Sequence, residues 1–179
     1  MTQGTERSYL VLIVGMLVGP GPAAELYHLS KTRPSSFHLL VPATKPDYGL
    51  TWTDEQALSD AKQRLEIMLE FGTAMGMQVS GDVARTDEPV DAARDAADGF
   101  DEMIVIDNPH GLQRWRSEKE LDKLAADPGL PLRHFRANPP HKQGKQFDTA
   151  ELRVDFQRFL AELKRSEGAL TSAPTKRDQ

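Results

Sequence analysis

The chain contains no cysteine. Disulfides, thiolate metal ligands and a cysteine nucleophile are therefore excluded. Long hydrophobic runs are missing too: the main apolar stretch, Tyr9 to Val18, is about ten residues, half of what a bilayer span needs. Arg7 alone makes a poor basic region ahead of it, and Val18-Gly19-Pro20 makes a poor cleavage site. A cytoplasmic protein with no membrane partner is expected. There is no excess of positive charge, since 22 Lys and Arg stand against 27 Asp and Glu for a net charge of −5. That argues against nucleic acid as the main partner, because phosphate binding needs a clustered basic surface. No G-x-S-x-G occurs, so a hydrolase nucleophile elbow is absent. The histidines, His28, His38, His110, His134 and His141, show no metal-ligand spacing, and no metal site is expected.

What is present suits one ordinary domain with an extension: 179 residues, 39% hydrophobic and 27% charged. Ser8 to Met16 is continuous in Val, Ile and Leu rather than alternating, as in a strand covered on both faces. Further short strands are read at Phe37–Val41, Met77–Val83, Met103–Ile106 and Leu130–Phe135. Between them lie helical patterns. One covers Ala23 to Leu29. A long one is capped by Thr53 or Asp54, runs to about Met75 and stops at Gly76. A short one is capped by Asp87, and another carries Leu112, Trp115, Leu121 and Leu124. The order β-α-β-α-β-α-β-α-β implies an α/β fold, a parallel sheet with helices on both faces. Residues 1–137 make this domain and 138–147 a Pro/Gly/Lys linker. Residues 148–165 form a C-terminal amphipathic helix: Asp148 and Glu151 suit a capping box, Phe147 and Leu152 a hydrophobic staple, and Leu152, Phe156, Phe159, Leu160 and Leu163 an apolar stripe. Residues 166–179 show no periodic apolar pattern and are expected to be disordered.

Gly19-Pro20-Gly21-Pro22-Ala23-Ala24 matches the G-x-G-x-x-A of dinucleotide-binding loops. The match fails chemically. Pro20 and Pro22 have no N–H to aim at a pyrophosphate, and the second strand ends Leu39-Leu40-Val41-Pro42 without the acid that would hold a ribose. Pro22 suits the first turn of a helix instead.

Three phrases carry a resemblance: Phe37-His38-Leu39-Leu40-Val41-Pro42-Ala43, Gly99-Phe100-Asp101-Glu102-Met103-Ile104-Val105 and Pro109-His110-Gly111-Leu112-Gln113-Arg114-Trp115. They resemble a group of small actinobacterial proteins related to the universal stress proteins, over roughly residues 9–135. The resemblance implies five parallel strands in the order 3-2-1-4-5, and often a dimer formed through the last strand. Some universal stress proteins bind ATP and others do not. The ATP binders have an aspartate just after the first strand, where this chain has Gly15-Met16-Leu17. They also carry G-x2-G-x9-G-S/T after the fourth strand. With its second glycine on Gly111, the other positions here read Asn108, Leu121 and Asp122. The resemblance thus implies a degenerate site without ATP binding of that type, although an adenine nucleotide or other ligand at the same place stays open.

In such a sheet the winding reverses between the first and fourth strands, and ligands bind at the carboxyl ends there. The candidate ligand-binding residues are therefore Gly15, Met16, Val41, Asp107, Asn108, His110, Gly111, Arg114 and Trp115. No catalytic residue is assigned. Asp107 could orient His110 as a general base, with Arg114 holding an anion, or the segment could be only a turn and helix cap. His38 and His134 alternate with apolar residues and read as partly buried polar positions. The expected role is a regulatory or stress-associated binding module rather than an enzyme, dimeric through Leu130–Phe135 and the C-terminal helix. The alternative is a nucleotide-binding protein or enzyme using residues 107–114.

Overall fold

β1 (Arg7–Val14) runs through the middle of the sheet, which explains an apolar sequence without alternation. Tyr9 to Ile13 are all buried, because both faces of the strand are covered. The structure, a computed structural model, describes residues 5–14, 21–43, 53–86, 88–107, 119, 122–124, 126, 130–136 and 149–171. β2 (Ser35–Pro42), β3 (Gln78–Ala84), β4 (Glu102–Asp107) and β5 (Leu132–Arg136) complete a five-stranded sheet ordered β3-β2-β1-β4-β5. Every pairing is parallel. The parallel direction is the one expected from the alternation of elements, and the strand order is the one the resemblance implies.

Side chains of β1 divide between two cores. Tyr9, Val11 and Ile13 pack with Phe37, Leu39, Val41, Ile104 and Ile106 beneath α1 (Gly21–Thr32) and α2 (Asp54–Ala74). Leu10 and Leu12 pack with Leu40, Met103 and Val105 beneath α3 (Pro89–Ala96) and beneath Leu124, which belongs to the helical residues 119, 122–124 and 126. The reversal of winding at β1 puts α1 and α2 together on one face, and α3 with the helical residues around Leu124 on the other.

Local signals set the helix ends. Thr53 accepts from the Gln56 N–H while the Gln56 side chain accepts from the Thr53 N–H, closing a capping box at the start of α2. Gly76, with φ 72°, turns the chain out of the helix into β3. Pro22 sits in the first turn of α1, which runs on to Thr32, beyond the expected Leu29. The cap position of α3 is Glu88, which makes no side-chain capping bond; Asp87, expected there, lies outside the described residues.

Two glycines, Gly72 on α2 and Gly81 on β3, stand where α2 packs on the edge of the sheet with no room for a side chain. A Cβ on Gly72 would lie 2.8 Å from Val79 Cγ1. One on Gly81 would lie 2.6 Å from both the Leu39 carbonyl oxygen and Leu65 Cδ1.

The C-terminal helix, α4 (Thr149–Thr171), continues past the expected end at Arg165. It packs on its own chain. Phe156 is buried with its ring 4.3 Å from that of Phe71 on α2, Phe159 lies 5.8 Å from the same ring, and Arg153 pairs with Glu70. Asp148, Phe147 and the Leu152 side chain lie outside the described residues. Among the described residues no helix is long and apolar enough to cross a membrane.

Candidate functional site

Parallel strands of this order bring the carboxyl ends of β1 and β4 side by side, with Val14 opposite Asp107. Of the candidate residues, the structure describes two. Val41, next to last in β2, is fully buried in the core beneath α1 and α2. Asp107 closes β4, and only 3% of its side chain meets solvent. Gly15, Met16, Asn108, His110, Gly111, Arg114 and Trp115 lie outside the described residues.

The imidazole beside Asp107 is His134. Its Nε2 lies 2.7 Å from Asp107 Oδ1, and 27% of its side chain is exposed. In the β4–β5 register His134 stands opposite Val105, so the contact runs diagonally along one face of the sheet. The two atoms stand at ion-pair distance without meeting hydrogen-bond geometry, so the carboxylate lies against the imidazole without fixing its plane. The same pairing also ties the edge strand β5 to β4. The sequence offered the alternation that buries His134, but not the register that brings it to Asp107. Among the described residues no group of three His, Asp or Glu side chains could hold a metal ion.

A second polar cluster spans β2 and β3 on the face beneath α3. His38 Nδ1 is 3.0 Å from Ser80 Oγ, and His38 Nε2 is 3.4 Å from Asp82 Oδ2. The residue types are those of a hydrolytic triad. Ser80 is exposed, however, and so is 78% of the Asp82 side chain, so water screens both outer members. The cluster fastens the edge strand.

The Gly99–Glu102 segment sits at the other, amino-terminal end of the sheet. Gly99 takes φ 88° to leave the α3 turn. The Phe100 ring packs 5.7 Å from that of His38. Asp101 accepts from the Ser8 N–H at 2.8 Å and from the Ser8 hydroxyl at 3.0 Å. Glu102, buried, accepts from Arg7 at 3.1 Å and from Arg133 at 2.8 Å. Four consecutive residues thus fix the start of β4 to β1, β2 and β5.

The two Ser8 bonds hold the Asp101 carboxyl below the usual carboxylate range. Its contribution to stability is therefore complete above the ordinary value of about 3.9 and is lost as pH falls through the lower folded value. Denaturant titrations between about pH 6 and about pH 2.5 should show Asp101→Asn lacking part of the wild-type loss of stability below about pH 4. Parallel pH profiles for the two chains would remove this role from Asp101.

The chain matches no protein-family model and no curated protein.

Proposed function

We propose that this protein is a regulatory, universal-stress-protein-like binding module that does not bind ATP in the manner of that family. The observation that carries the reading is Asp107. A nucleotide laid across the switch point would meet a buried carboxylate at the end of β4. The sequence beyond it supports the same view: Asn108 and Leu121 stand where phosphate-cradling amides need glycines, and Asp122 adds negative charge. The acidic balance fits a cytoplasmic protein without a nucleic-acid partner. The reading includes self-association through an open edge of the sheet. The apolar stripe of α4 packs on α2 through Phe156 and Phe159, and among the described residues the outer strands β3 and β5 offer free edges to a partner.

The closeness of Asp107 and His134 favours a second reading, a nucleotide-binding protein or enzyme built around residues 107–114 with an imidazole beside the carboxylate. Thermal-shift measurement with ATP and AMP separates the two. A ligand at 100 times its dissociation constant adds about 2.7 kcal/mol. For a chain of this size that raises the melting temperature by about 5–10 °C. The expected result is no shift with either nucleotide. A shift of several degrees that Arg114→Ala or His134→Ala abolishes would establish the second reading instead.

A further inference from the structure

The sheet has two terminal strands, and they are not alike. β5 is short and carries Arg133, His134 and Arg136, the kind of charged edge that discourages pairing. β3 is longer, in unbroken register with β2 from Gln78 to Ala84, and holds no proline or basic residue. Above it the outer side of α2 presents a shallow, open depression in which Leu65, Leu69 and Ala74 lie among Lys62, Glu66 and Glu70.

We propose that β3 is the self-association edge, pairing antiparallel with β3 of a second copy about an axis at Gly81. This rests on the reading that the chain self-associates, and names the surface. The sequence of the strand is complementary to itself in that register. With Gly81 opposite Gly81, Val79 falls opposite Val83 and Ser80 opposite Asp82. The only charge in β3 therefore meets a hydroxyl rather than its own copy, and each pair occurs twice by symmetry. Val79 and Val83 are partly buried against the α2 core, while Ser80 and Asp82 are exposed on the opposite face. A twofold axis perpendicular to the sheet keeps both α2 helices on one side of the seam. The shallow apolar surfaces around Leu65 and Leu69 of the two copies then lie on the same face of the paired strands. Any register displaced from Gly81 loses the Ser80–Asp82 match.

The test uses charge at one exposed position. Ser80→Asp sets two Asp–Asp pairs across the seam and should raise the dimer dissociation constant about tenfold. Ser80→Lys sets two Lys–Asp pairs and should leave association as strong or stronger. Masses from light scattering across micromolar concentrations read both variants, and thermal melting checks that each folds. Arg133→Gln, on β5, keeps an N–H donor for Glu102 and should leave the dimer unchanged. A monomeric wild-type chain would overturn self-association altogether. A dimer indifferent to Ser80→Asp, or one broken by Arg133→Gln in a chain that melts like the wild type, would overturn the β3 assignment alone.

Discussion

Gly81→Ala is expected to destabilise the fold by about 3 kcal/mol, the upper end of the usual cost of overpacking. The new methyl would sit 2.6 Å from the Leu39 carbonyl oxygen and 2.6 Å from Leu65 Cδ1. These neighbours differ in what they can do. The Leu65 side chain can change rotamer. The Leu39 carbonyl belongs to β2, which is paired on one side with β1 and on the other with β3. It moves only if the ladder moves. The backbone φ at Gly81 is not in the left-handed region, so the cost is steric rather than conformational. Gly72→Ala provides the comparison. Its methyl meets the Val79 side chain at 2.8 Å rather than backbone, and an alanine inside α2 gains about 1 kcal/mol of helix propensity. Its net loss should be clearly the smaller. Urea midpoints at unchanged slope give both values. A Gly81→Ala chain as stable as wild type would mean that α2 does not approach β3 this closely.

Asp60→Ala should cost a similar amount, about 3 kcal/mol, by leaving the charge of Arg64 without its carboxylate. Arg64 is among the largest fully buried side chains, 1% exposed, and its Nε lies 2.9 Å from Asp60 Oδ2 one helical turn earlier. Burial pushes its pKa below the ordinary arginine value, and Asp60 pushes it back up. An arginine keeps its proton throughout the working range of pH, so the burial penalty is present at every pH used. The figure is set at the lower end for broken buried pairs because Asp60 is 26% exposed and water can partly replace it. Arg64→Met removes the charge together with the need for a partner, keeps most of the volume, and should cost about 1 kcal/mol or less. Chemical denaturation of the two variants decides the matter. If Arg64→Met proves the more damaging, the guanidinium contributes more than it costs.

Much of this architecture was legible because it depends on neighbours in sequence. The apolar run at Tyr9–Ile13 reports a strand covered on both sides, Thr53 or Asp54 a helix start, and Gly76 a helix end. Arg64 was not legible. It directly precedes Leu65 in a charged helix and reads as a solvent position, yet the packing of α2 turns it inward. The Asp107–His134 contact was hidden for a different reason. It depends on the parallel register of β4 and β5, which no local pattern encodes, so Asp107 pointed to the nearer His110. The end of α4 was missed because an amphipathic stripe marks where a helix is buried, not where its backbone hydrogen bonds stop.

The Gly99–Glu102 turn separates the assembly of the sheet from the rim that carries Asp107. Its residues set the phase of neighbouring strands: Asp101 holds Ser8, and Glu102 gathers Arg7 and Arg133. All of this happens at the amino-terminal edge, as far along the strands from Asp107 as the sheet allows. In this chain the phrase Gly-Phe-Asp-Glu-Met-Ile-Val thus serves assembly of the sheet rather than its ligand rim. Substitutions at the rim around Asp107 leave the joint that holds the strands in phase untouched.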